Sequence, residues 1–187
     1  MQEYKRVKYN KSPLIEVIFQ LRFPTILSIN SKQPVNFQER IRERYPFYQE
    51  DIEQQNEFLI SPEGNPAQIK MSQNKNYSFV SADHMYKVNL TSSFIAISTM
   101  GYTQWEDFLN HINYIIPEFE KEYTPAFYTR VGLRYVDAIT RGNLGLNNKK
   151  WNELIQPHVL GIVTPEIEEG VQSFVSEAEY KNQDGKT

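Results

Sequence analysis

The chain has 187 residues, 40% of them hydrophobic and 23% charged, an ordinary globular composition for one large domain or two small ones. It contains no cysteine, which excludes disulfides, thiolate zinc sites and a cysteine nucleophile and fits a reducing, cytoplasmic setting. A net charge of −3 argues against broad non-specific binding to nucleic acid, whose affinity comes from neutralising phosphates.

Residues 1–13 are polar and basic, and they read as an N-terminal arm. They carry neither the apolar core nor the small-residue cleavage site of a signal peptide. No run approaches the roughly 18 apolar residues of a membrane span. Val17, Phe19, Leu21 and Phe23 alternate with Ile18, Gln20 and Arg22, a period of two that predicts a strand ended by Pro24. Phe37, Ile41 and Tyr45 fall on one helical stripe, opened by Asn36 with Glu39 behind it and closed by Pro46.

Hairpins follow from Glu57 to Met100. Candidate strands are Glu57–Ser61, Ala67–Ser72, Tyr77–Ser81, Met85–Leu90 and Phe94–Thr99, separated by the turn-like stretches PEGNP, QNKN, ADH and TSS. Short connectors imply antiparallel neighbours. Trp105, Phe108, Leu109, Ile112, Ile115, Ile116 and Phe119 then form a long helical stripe. Thr103 and Glu106 match a capping box at its start, Pro117 predicts a kink or a break, and Pro125 ends it. A strand over Val131–Ile139 is followed by the loop TRGNLGLNN and a short helix bearing Trp151, Leu154 and Ile155, cut by Pro157. GIVTPEIEEG reads as a loop and VQSFVSEAEY as a strand.

The order strand, helix, strand starts again near residue 128. Leu21-Arg22-Phe23 returns as Leu133-Arg134-Tyr135, 112 positions on (134 − 22), and the stripe Phe37/Ile41 returns as Trp151/Ile155. An internal duplication cut short explains this recurrence. The expected fold is α+β: an antiparallel sheet packed on a long helix, β-α-β(4–5)-α over 14–127, followed at 128–187 by the start of a second similar repeat. The edge after Val171–Tyr180 then lacks its hairpin partners, which predicts a homodimer or strand exchange.

Motifs of common enzyme classes are absent. There is no G-x-S-x-G elbow and no G-x-x-x-x-G-K phosphate loop. His84, His111 and His158 have no partners at ligand spacing, so neither a metal nor a cofactor is expected. The arginines carry the most information. Glu16, Ile18, Gln20 and Arg22 share one face of the first strand, and Arg130, Gly132, Arg134 and Val136 share one face of its counterpart. With the apolar faces against helices, the arginines stand on the far side of the sheet. Two convergent guanidiniums bind a carboxylate or phosphate well, and Gly132 leaves the surface between them open. The candidate ligand site is therefore Arg22, Arg130 and Arg134 with Glu16 and Gln20. The competing reading is a cross-strand ion pair, with Glu16 or a later carboxylate answering each arginine. Tyr77, Tyr86, Tyr102, Tyr114, Tyr123, Tyr128 and Tyr135 are read mainly as packing, with a tyrosine-lined mouth between sheet and helix as the alternative.

The blocks SPLIEVIFQLRFP, LTSSFIAISTMGYTQWEDF and FYTRVGLRYVDAI, in this order, resemble a sporadically distributed family of prokaryotic proteins with no assigned function. Members of that family look longer than this chain, and their pattern carries Asn where this sequence has Asp137. The resemblance implies no catalytic residues; its sporadic occurrence suggests a mobile or defence-associated system. The element order also resembles the TATA-binding-protein half and the helix-grip proteins, a likeness of topology alone. Three readings of function follow: a non-enzymatic binding or interaction protein of the bacterial cytoplasm with an unknown protein partner, a binder of a small anion such as a nucleotide or phosphate, and an enzyme with an unrecognised site.

Overall fold

A computed structural model describes residues 12–59, 68–163 and 175 of the chain. The chain divides into two compact units, one of Ser12–Ala138 and one that takes in the chain from Ile139 onward. The first is α+β, with a six-stranded antiparallel sheet and a long helix.

Strand β1 (Leu14–Arg22) alternates as its sequence does: Val17, Leu21 and the following Phe23 are buried, and Arg22 is exposed. Two short helices follow, α1 (Leu27–Ser31) and α2 (Val35–Ile41). The helix stripe is real but shorter than its spacing suggests. Pro34, not Asn36, occupies the N-cap, and the Asn36 amide donates instead to Glu122 at 3.0 Å. Tyr45 lies past the helix, fully buried.

Strands β2 (Phe47–Leu59) and β3 (Gln68–Val80) form one long ladder, Phe47 opposite Val80 through Leu59 opposite Gln68. This corrects the expected turn at QNKN, which lies inside β3. Polar residues there favour a turn locally, but β2 lays down a matching polar partner strand, and Lys75 pairs with Glu50 at 3.1 Å. Tertiary pairing overrides local propensity.

The turns into β4 (Tyr86–Leu90) and β5 (Phe94–Thr99) fall at ADH and TSS as expected. At the first, the Asp83 carboxylate accepts from the Ser81 hydroxyl and from the Met85 amide. His84 takes a positive φ of 60° and stacks on Phe47 at 4.7 Å. At the second, the Thr91 hydroxyl oxygen accepts from the amides of Ser93 and Phe94.

Helix α3 (Trp105–Tyr123) buries Phe108, Ile112, Ile115 and Phe119. Its start differs from the expected capping box: Gln104 is the N-cap, and the Thr103 hydroxyl donates to Asp107. Nor does Pro117 end it. The helix runs on to Tyr123, where Thr124 at φ 42° and Pro125 stop it. Arg40 reaches Glu118 and Glu122 at 3.6 and 3.5 Å, tying α2 to α3 at the surface. Strand β6 (Arg130–Asp137) completes the sheet, in the order β2-β3-β4-β5-β1-β6.

The residues from Ile139 form the single turns α4 (Arg141–Leu144), α5 (Trp151–Leu154) and α6 (Pro157–Leu160). Arg141 lies 5.1 Å over the Trp151 ring and donates to the Lys149 carbonyl at 2.8 Å. The segment read as a loop is thus partly helical at α4. Residues 1–11 of the N-terminal arm and the strand over Val171–Tyr180 fall outside the described residues, apart from an exposed Val175.

Candidate functional site

The β1–β6 ladder decides which side chains share a face. Val17 stands opposite Tyr135, Phe19 opposite Leu133 and Leu21 opposite Val131, on the side where α2 and α3 pack. On the other side Glu16 stands opposite Val136, Ile18 opposite Arg134, Gln20 opposite Gly132 and Arg22 opposite Arg130. All three candidate arginines therefore project from the open face of the sheet, as expected.

The register refines the arrangement. Gln20 and Gly132, the positions related by the 112-residue offset, face each other, so a local twofold through that pair would exchange the two strands. Arg22 and Arg134 are then equivalent but lie four residues apart along the strands, roughly 13 Å at a strand's rise. The arginine brought against Arg22 is Arg130. Directly opposed residues hold their Cβ atoms about 5 Å apart, and like charges so placed repel.

Nothing described neutralises that pair. Among the described residues no carboxylate lies within ion-pair distance of Arg22, Arg130 or Arg134. The Arg22 Nε donates to the Gln20 amide oxygen at 3.4 Å, a long bond to a neutral group. Glu16, half-buried, is on the same face beside Val136 and makes no ion pair with these arginines among the described residues. The cross-strand ion pair weighed from sequence is therefore not formed there.

The floor between the arginines is low. A Cβ placed on Gly132 would meet only the Gln20 carbonyl, at 3.9 Å. On β5, Ala96 stands opposite Gln20 and Ser98 opposite Ile18. Further along the same face Asn89 donates to Asn76 and to Ser78, both at 3.0 Å. The open face thus mixes polar and small residues with Ile18, Phe94 and Val136, and it carries Lys87 on β4, opposite Ser98, besides the three arginines of β1 and β6.

Among the described residues no helix covers the apolar row of β6. Val131 is 65% exposed, Leu133 44% and Tyr135 46%. The helices cover β1 but do not extend over the edge strand, which corrects the reading that both apolar strand faces meet helices.

His111, which has no ligand-spaced partner in the sequence, sits half-buried in a cluster on α3. The Tyr45 hydroxyl is 2.7 Å from His111 Nδ1, and the imidazole stacks on Tyr86 at 3.6 Å. The hint in sequence was the stripe Phe37/Ile41/Tyr45, which aims Tyr45 at the core. Burial first, then the nearby Arg44 guanidinium, lower the affinity of His111 for a proton below its ordinary 6.5. The unfolded chain therefore binds the proton at a higher pH than the folded one, so stability is full above about pH 6.5 and declines as the pH falls below it. A urea midpoint that drops between pH 7.5 and 5.5, and drops less in His111→Gln, is the expected outcome. Equal declines in both proteins would remove His111 from this role.

The tyrosines mostly pack. Tyr77 is fully buried, and Tyr86, Tyr102, Tyr114, Tyr123 and Tyr128 lie half-buried against the core. An open depression is lined by Gln33, Pro34, Val35, Gln38 and Tyr48, and at its side Gln33 and Tyr48 donate to the Glu50 carboxylate, which Lys75 already neutralises. Among the described residues no group of three His, Asp or Glu side chains is placed to hold a metal ion, and no helix is long and apolar enough to cross a membrane. Comparison with family models, curated proteins and solved structures finds no match to this chain.

Proposed function

We propose that the protein is a non-enzymatic binding protein of the bacterial cytoplasm, whose open sheet face holds a small anionic ligand between Arg22 and Arg130. One observation carries this reading: Arg22 and Arg130 stand directly opposite each other in the strand register, with no carboxylate among the described residues to answer them. Such a pair costs stability by itself and gains it when an anion lies between the forks. The planar donors suit a phosphate or carboxylate, and the low floor at Gly132 and Ala96 admits the group attached to it. Gln20 orients Arg22, and Arg134 extends the positive surface toward a second charge on a longer ligand such as a nucleotide.

The test is a thermal-shift titration with inorganic phosphate and with nucleoside mono- and diphosphates at constant ionic strength. The native chain should melt at rising temperature with increasing ligand. Arg22→Gln, with no carboxylate partner among the described residues to lose, should melt without ligand at the same temperature or slightly higher, and should lose most of the ligand-dependent rise. An Arg22→Gln chain that melts markedly lower without ligand would restore the ion-pair reading. Equal ligand response in both chains would place any bound anion elsewhere.

A further inference from the structure

Among the described residues strand β6 is an edge of the sheet, paired on one side with β1. Ala138 gives its amide to the Pro13 carbonyl, and on the other side of β1 Phe23 gives its amide to the Ser93 carbonyl, so by alternation the amides of Arg130, Gly132, Arg134 and Val136 point to β1 and those of Val131, Leu133, Tyr135 and Asp137 point to the free side. The row Val131, Leu133, Tyr135 is exposed on the helix-side face. A regular edge strand with exposed apolar residues is a template for another strand. The opposite edge is different: β2 carries Gln49, Glu50 and Asp51, and its Tyr48 packs near Tyr77 and Phe79.

We propose that β6 pairs antiparallel with β6 of a second copy of this chain about a twofold axis at Leu133, joining two sheets into one of twelve strands. Charge selects both the partner and the register. In a twofold antiparallel pair, opposed residues must come from the same face, so the axis can pass only at whole-residue positions. An axis at Gly132 sets Arg130 opposite Arg134, and one at Arg134 sets that residue opposite itself. An axis at Leu133 sets Arg130 opposite Val136 and Arg134 opposite Gly132, and it brings Val131 against Tyr135 and Leu133 against Leu133. This register pairs all of 130–136 with no arginine opposite an arginine. The exposed apolar row then meets its own copy across the axis. The interface is isologous and closes at a dimer, whereas pairing of β6 with the acidic β2 edge would be head-to-tail and open-ended. The arrangement also brings Arg22, Arg130 and Arg134 of both copies onto one continuous face.

The absence of cysteine allows a direct test. In this register Leu133 and its copy form a hydrogen-bonded pair with Cα atoms about 5.5 Å apart, within the range a disulfide spans. Leu133→Cys under mild oxidation should give nearly complete disulfide-linked dimer, and Met100→Cys, at a 71% exposed site away from β6, should give little. By light scattering the native chain should be a dimer and Leu133→Glu, which sets two carboxylates at the axis, a monomer with an unchanged far-UV spectrum. Monomer at every concentration together with no cross-link in the Leu133→Cys chain would overturn the proposal. So would growth beyond the dimer, or equal cross-linking in the two cysteine variants. None of these readouts uses an anion, so failure here leaves the ligand reading intact.

Discussion

Ile112→Asp is expected to unfold the unit Ser12–Ala138. Ile112 is 7% exposed on α3, in the same row as the fully buried Phe108, Ile115 and Phe119. The substitution exchanges an apolar contact for a carboxylate with no cation on that face of the helix to receive it. An unpaired charge in such a place costs several kcal/mol, comparable with the whole stability of a domain. The carboxyl escapes part of the cost by taking up a proton, so the loss should be greatest at neutral pH and partly recovered near pH 4. Far-UV dichroism and a urea titration at both pH values measure it. A cooperative transition with an unaltered midpoint at pH 7 would mean that the α3 stripe is not the seat of the core.

Phe37→Ala should cost about 3–5 kcal/mol, in the range of large-to-small core substitutions of aromatic residues. Phe37 is fully buried, meets Phe79 edge-on at 5.4 Å and lies 6.2 Å from Tyr123. It therefore joins α2 to both β3 and α3. The seven residues of α2 are too few to hold a helix without packing. Loss of the ring should release the helix as well as leave a cavity, and amide exchange over Val35–Ile41 should quicken more than exchange in β5. A loss under 1 kcal/mol, or uniform exchange, would show that α2 is held by its surface ion pairs with Glu118 and Glu122 instead.

Much of the first unit was legible from apolar spacing. The strand at Val17–Phe23, the long helix with Phe108, Ile112, Ile115 and Phe119, and the turns at Asp83-His84 and Thr91-Ser92 all follow from side-chain period and turn chemistry, which act locally. Three features were not legible because they depend on partners distant in sequence. The stretch Gln73–Asn76 continues β3 only because β2 lies beside it. Helix α3 runs through Pro117, against the local preference of that residue. The apolar row of β6 looks like a core strand by period alone, and only its position at the sheet edge leaves it exposed. Of the site, the choice of face was readable from alternation. The pairing was not: the repeat makes Arg22 and Arg134 equivalent, whereas the strand register opposes Arg22 to Arg130. Register is set by the whole ladder, and a recurring motif marks equivalent positions rather than adjacent ones.

The most direct measurement of the anion site is the side-chain Nε–Hε spectrum of the arginines during titration with inorganic phosphate at fixed ionic strength. Arg22 and Arg130, assigned by their Gln variants, should shift first and with one common dissociation constant, and Arg134 should shift less. Shifts of equal size across all the arginines, or movement of Arg22 and Arg130 no larger than that of the surface Arg40, would contradict a shared anion between the opposed pair.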